Sequence, residues 1–217
     1  MKIINFIIAL LCSLSVQAQP TLKGAYVSKE DKDVIICLMD GYFVETKYNV
    51  DTKVFNYTWG GPFVKDGNKL LITIHFDSRD KAAVGKTKEI VFVKKDHEII
   101  DKGENILAGN WRMSGRKNGD KITENPLRAR RTYKLLTGNR FQWIAINIET
   151  GEFSGTGGGV YSFVNGNYTE NIEFFSRDSS RVGASLSFTG KVENEQWHHS
   201  GLSSKGDPIY EIWTPYS

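Results

Sequence analysis

Residues 49–61 read NVDTKVFNYTWGG, and residues 147–159 read NIETGEFSGTGGG. Asn49, Thr52 and Phe55 fall on Asn147, Thr150 and Phe153 at a shift of 98, and Gly60-Gly61 falls on Gly158-Gly159. The same shift carries Phe76-Asp-Ser-Arg-Asp80 onto Phe174-Phe-Ser-Arg-Asp178, and Val84-Gly85 onto Val182-Gly183. Agreement at one shift across scattered turn residues marks an internal repeat. The openings Leu22-Lys-Gly-Ala-Tyr26 and Leu107-Ala-Gly-Asn-Trp111 correspond at a shift of 85. Two homologous units are therefore expected, at 20–104 and 105–217. The two shifts differ by 13, so the second unit carries that many extra residues after its first strand. They fall in 114–131, SGRKNGDKITENPLRARR, a polar stretch with Pro126 that reads as a loop or a short helix.

Within each unit, short apolar-rich runs alternate with turn residues. The second unit predicts eight strands, near 107–114, 131–136, 140–147, 152–164, 167–176, 184–193, 196–202 and 209–214. Thr137-Gly138-Asn139, Glu149-Thr150-Gly151 and Asn165-Gly166-Asn167 punctuate them, supplying the positive φ that tight hairpins need. The first unit predicts strands near 22–29, 33–39, 42–49, 54–64, 69–77, 87–94 and 97–101, with no clear eighth. The fold class is all-β: two tandem up-and-down antiparallel barrels, the first shorter or incomplete. Closure is what removes sticky sheet edges from such a meander.

Composition agrees. Of 217 residues 40% are hydrophobic and 12% aromatic, too many for a disordered chain. There are 28 basic and 25 acidic residues, a net charge of +3, which lacks the strong basic excess of a nucleic-acid binder. Residues 1–18, MKIINFIIALLCSLSVQA, read as an export signal. Lys2 gives the positive start, an apolar run follows, and Val16-Gln17-Ala18 is a small-residue cleavage pattern, with the cut expected after Ala18. The mature chain is expected to be secreted or periplasmic, with no transmembrane segment. It keeps one cysteine, Cys37, in the apolar run Val34–Leu38, where it reads as a small buried hydrophobe.

Gly109-Asn110-Trp111, opening an eight-strand meander, resembles the Gly-x-Trp start of lipocalins. The closing Tyr210-Glu-Ile-Trp213 resembles the last strand of secreted lipocalin-like domains of Bacteroidetes. The resemblance covers the second unit and reaches the first through the repeat. It implies a calyx for a small, mostly apolar molecule, and a portal lid at the insertion between the first two strands.

No catalytic motif is legible. Gly155-Thr156-Gly157-Gly158-Gly159 is followed by strand residues rather than a helix, which excludes a phosphate loop. Neighbouring His198 and His199 point to opposite faces of a strand, and no spacing suggests a metal. No cofactor is expected. Ser78-Arg79-Asp80 and Ser176-Arg177-Asp178 read as turns. Arg128, Arg130, Arg131 and Lys134 form a basic cluster, either a solvated face or an attractor for an anion at a barrel mouth.

The repeat suggests where a ligand sits. Phe55, Tyr57 and Trp59 share a face by strict alternation, and their partners are Phe153, Gly155 and Gly157. Leu70, Ile72, Ile74 and Phe76 have Tyr168, Glu170, Ile172 and Phe174 as partners, so Glu170 replaces an aliphatic residue on a core face. A carboxylate there needs a partner, and Arg131 and Tyr133 on a nearby strand are the candidates. Phe141, Trp143 and Ala145 offer an apolar wall, with Trp111 at the start of the barrel. The ligand-binding set is thus Trp111, Arg131, Tyr133, Phe141 and Trp143, with Gly155, Gly157, Tyr168, Glu170 and Ile172. The leading expectation is a non-enzymatic binding protein for a small hydrophobic or amphipathic ligand in the C-terminal barrel. The alternative is a surface module recognising glycan or protein, for which Phe55, Tyr57 and Trp59 would form an exposed stacking platform. A barrel isomerase or cyclase is a third reading.

Overall fold

The computed structural model describes residues 22–203 and 206–216. The export signal, its cut after Ala18 and Cys12 lie outside the described residues. The first sheet contains β1 (Gly24–Ser28), β2 (Val34–Met39), β3 (Tyr42–Asn49) and β4 (Val54–Asp66), then β5 (Lys69–Thr73), β6 (Phe76–Asp77), β7 (Thr87–Val91) and β8 (His97–Asp101). The second contains β9 (Gly109–Asn118), β10 (Lys121–Glu124), β11 (Arg130–Leu136), β12 (Arg140–Asn147) and β13 (Glu152–Val164). It continues through β14 (Asn167–Phe175), β15 (Ser185–Glu193), β16 (Gln196–Leu202) and β17 (Pro208–Pro215).

All pairings are antiparallel, and neighbours in sequence are mostly neighbours in space. In the second sheet β17 returns to pair with β9, so β9 and β11 through β17 close an eight-strand barrel with β10 as an extra strand on β9. The first sheet runs β7-β5-β4-β3-β2-β1-β8, with β6 on β4; β7 and β8 stand at its two ends, so it stays open. The fold is therefore all-β, with a closed up-and-down barrel beside an incomplete one. No helix among the described residues is long and apolar enough to cross a membrane.

Positions 98 apart make the same local bonds. The Thr58 and Thr156 amides each donate to a serine, Ser78 Oγ and Ser176 Oγ, both at 2.9 Å. Asp80 and Asp178 each cap a 3₁₀ turn, at Lys81–Ala83 and Ser179–Arg181. The Ser-Arg-Asp motifs are thus turn-forming in both units.

Two expectations need correction. The stretch 114–131 is neither a plain loop nor a helix. β9 runs on to Asn118 and turns back through Gly119-Asp120 into β10, leaving only 125–129 as loop. Gly119 sits at φ +58°, and an Asn-Gly pair favours such a two-residue turn. Strict alternation also fails along β4, β13 and β14. In β4 a bulge opposite Lys47 and Tyr48 inserts Asn56, so Phe55 turns away from Tyr57 and Trp59 and stacks on Phe174 at 6.1 Å. The matching bulge in β12–β13 inserts Ser154 and separates Phe153 from Gly155. In β14 a bulge at Glu173 puts Phe174 on the outside of the barrel while Ile172 stays inside. In the first sheet the chain breaks between β5 and β6, and Phe76 leaves the face of Leu70, Ile72 and Ile74.

Phe55 and Phe174, redirected by these bulges, meet at the joint between the two sheets, which regular strand residues complete. Tyr42, Val44 and Phe76 pack with Tyr133, Leu135 and Ile144 in one core cluster. Cys37 lies in the same cluster, and burial pushes its thiol up to about 12, as suits an inert packing residue. At the centre Gln142 receives a bond from Thr46 Oγ1 (2.9 Å) and donates to Thr58 Oγ1 (3.1 Å) and Thr156 Oγ1 (3.0 Å). Arg140 donates to Glu173 (2.7 Å) and to Tyr48 Oη (3.0 Å), and Tyr48 donates to Glu173 (2.5 Å). A buried amide with its hydrogen bonds satisfied fixes the relative placement of two sheets more sharply than apolar contact does.

Candidate functional site: the mouth of the C-terminal barrel

The interior of the closed barrel is packed. Trp111, Phe141, Tyr168, Phe188, Trp197 and Trp213 fill it, with Ile172 and Leu136 between them. Among these rings lies an ion pair. Lys134 Nζ stands 2.8 Å from Glu170 Oε1, both side chains less than a tenth exposed, and Tyr168 Oη donates to the same oxygen at 2.9 Å. The ammonium lies 5.1 Å from the Trp197 ring centre and 5.2 Å from that of Trp213, within cation–π reach. Glu170 is thus partnered by Lys134, not by Arg131 or Tyr133. Alternation along β11 decides this, because Lys134 and Leu136 face inward while Arg131 and Tyr133 face outward. There Arg131 donates to Tyr216 Oη at 2.8 Å and Tyr133 at 3.2 Å.

A second polar chain leads from the interior to the rim. His199, buried inside, is 3.5 Å from Glu211, and Glu211 is 3.4 Å from Arg116. Burial, and next the charge of Lys134, hold the His199 imidazole below its ordinary value, so it is neutral near pH 7. Burial alone would raise the Glu211 carboxyl; the His199 contact and the Lys134 charge outweigh it and hold the group below the ordinary range. As alternation requires, His198 faces the other way, 3.0 Å from Tyr210 Oη.

The glycines at 155 and 157 leave no hollow. A Cβ at Gly157 would lie 2.7 Å from Trp143 Nε1 and 2.8 Å from Phe175, and one at Gly155 would lie 2.4 Å from Arg177 Nε. Trp143 and Phe175 pack edge to face in this space, with ring centres 5.4 Å apart. The open volume lies at the rim. β9 pairs with β11 only from Gly109 to Arg112; from Gly115 the same edge pairs with β10 while the other edge holds β17, leaving a gap against Arg130–Thr132. The 125–129 loop spans the gap, tied by Asn125 N to Ser114 O (2.7 Å) and by Arg112 to Asn125 O (2.6 Å). Beneath it is a cleft of about 660 Å³. Met113, Leu127 and Ala145 form apolar wall, and six arginines, Arg112, Arg116, Arg128, Arg130, Arg131 and Arg177, contribute to its lining, although the Arg131 guanidinium itself is engaged by Tyr216 on the outer face.

Of the residues expected from sequence, Trp111, Phe141, Trp143, Tyr168, Glu170 and Ile172 come together inside the barrel. Gly155 and Gly157 lie behind aromatic rings and Arg177, and Arg131 and Tyr133 are on the outer face. Of the basic cluster, Arg128, Arg130 and Arg131 reach the cleft and Lys134 does not. Arg112, Arg116, Arg177 and the His199–Glu211 pair were not anticipated. Comparing the two units position by position carries a signal for Arg177, taken up below; the others depend on how β9 leaves β11. Among the described residues no group of His, Cys, Asp and Glu side chains is placed to hold a metal ion.

The fold and rim together define an all-β protein with a closed eight-strand barrel whose mouth carries an arginine-lined cleft. No family model matches the sequence, and no curated protein does. Among solved structures the chain is similar to a lipocalin-like protein from Bacteroides uniformis, at 14% identity over 51% of this chain and 98% of that one, with a TM-score of 0.35. It is also similar to an uncharacterized protein from Bacteroides eggerthii, at 11% identity over 50% of this chain and 98% of that one, with the same TM-score.

Proposed function

We propose that this chain is an exported binding protein made of two tandem lipocalin-like units, the second of which takes a small amphipathic molecule. The ligand enters the cleft at the barrel mouth rather than a deep calyx, because the interior is occupied by rings and a satisfied ion pair. The observation that carries this reading is the cleft itself. Its 660 Å³ falls within the range of small-molecule sites, and it combines a small apolar wall with a predominantly basic lining. The 13-residue insertion builds the roof, as a portal lid does in related barrels. A glycan platform is disfavoured, since Trp59 is 1% exposed and Tyr57 packs beside it.

Ala145 lines the cleft from β12 and is half-buried. Ala145→Trp places an indole in the open volume. Titration with the neutral dye Nile red should show saturable binding to the parent and at least ten-fold weaker binding to the variant. Unchanged binding in a folded A145W protein places the ligand elsewhere and defeats the proposal.

A further inference from the structure

The two units differ at one cluster, and the difference bears on the charge of the ligand. In the first unit Glu45 accepts from Tyr57 Oη (3.1 Å) and Trp59 Nε1 (2.8 Å). Asp77 receives Arg79 through both carboxylate oxygens, from Nε and NH2, each at 3.1 Å. The Arg79 guanidinium also lies 3.9 Å above the Tyr57 ring. Lys88 Nζ lies 4.0 Å from the Trp59 ring centre, so two acids stand with two bases.

The residues 98 positions later are Trp143, Gly155, Gly157, Phe175 and Arg177. Both acids have been replaced by rings, and both β4 rings by glycines. Trp143 and Phe175 fill the space the glycines leave. Only the arginine is kept, since Leu186 stands where the first unit has Lys88, so the cluster loses both acids and retains one base. Arg177 now lies across Gly155, donating Nε to Ser154 O at 2.7 Å. Among the described residues its two terminal nitrogens have no hydrogen-bond partner and it forms no ion pair. It borders the cleft, where Arg116 alone of the six arginines is paired with a carboxylate and Glu124 is the lone acidic residue of the lining.

We infer that the cleft selects an amphiphile ending in a carboxylate or a similar oxoanion, and that Arg177 is the residue that sets this specificity. The inference rests on the cleft being the ligand site. Arg79 shows a guanidinium at this place engaged by a carboxylate through Nε and a terminal nitrogen; in Arg177 Nε is taken by Ser154 O, and the two terminal nitrogens form the pair left open to a carboxylate. A planar guanidinium matches a carboxylate with two parallel bonds, which an ammonium cannot do. The hydrocarbon end of the ligand then lies along Met113, Leu127 and Ala145.

The probes are decanoate and decanol, which share a chain and differ in charge. Calorimetric titration below their aggregation concentrations should show decanoate binding at least ten-fold more tightly than decanol. Arg177→Gln should abolish that preference while decanol binding stays unchanged. Arg177→Lys should keep only part of it. Arg79→Gln, which removes the same formal charge from the equivalent place in the first unit, should leave it intact. Arg177 is exposed and makes a single backbone bond, so R177Q is expected to unfold at the parent's temperature; should R177Q fail to fold, R177K must still lose preference. Equal affinity for the two probes in the parent, or an equal loss in R79Q and R177Q, overturns the inference and leaves the cleft reading standing. Binding of neither probe overturns both.

Discussion

Replacing Lys134 by methionine tests how the barrel interior is held. The ammonium and the Glu170 carboxylate are 2.8 Å apart, with side chains 6% and 7% exposed. Removing the lysine leaves the carboxylate among rings with one remaining donor, the Tyr168 hydroxyl. Breaking one side of a buried pair costs about 3–5 kcal/mol, because the other charge stays buried without compensation. K134M should therefore lose about 4 kcal/mol by urea denaturation at pH 7. The double variant K134M/Glu170→Gln removes both charges and should lie within about 2 kcal/mol of the parent. A loss below about 1 kcal/mol in K134M would refute the assignment of Lys134 and Glu170 as a closed buried pair.

Two further outcomes follow from the joint and from acid titration. Gln142→Leu leaves three threonine hydroxyls at the centre of the joint without their amide and should cost about 2–3 kcal/mol in denaturant melts, and a change under about 0.5 kcal/mol would show that apolar contact alone docks the units. Burial, and next the Arg131 charge, lower His75 from 6.5 to about 4, so it folds neutral; its stabilisation is complete above pH 6.5 and is lost as pH falls toward 4, by at most about 3 kcal/mol. His75→Gln should flatten that part of the pH–stability curve, and an unaltered curve in the variant rules His75 out as its source.

Strand placement was legible because it depends on local chemistry. The runs 140–147, 152–164 and 196–202 coincide with β12, β13 and β16; Gly151, Asn165, Gly166, Asn194 and Glu195 at positive φ mark hairpin ends, whereas the turn at 137–139, expected to do the same, closes without a positive φ. The repeat was legible for the same reason, and so was the inward position of Trp111, Phe141, Tyr168, Glu170 and Ile172. Facing was lost wherever one extra residue entered a strand. Asn56, Ser154 and Glu173 each reverse the alternation that follows, and nothing local distinguishes a bulge from an ordinary strand residue. The partner of Glu170 was missed because Lys134 was read with its neighbours in sequence, whereas neighbours on a strand point apart. The cleft was beyond the sequence for a different reason. It is the space left where β9 parts from β11 and the same edge of β9 goes on to pair with β10, a switch of partner that no residue pattern near the gap announces. Composition and repeat determine how many strands there are and where they turn; the tertiary structure alone decides which faces meet, because that depends on register and closure across the whole sheet.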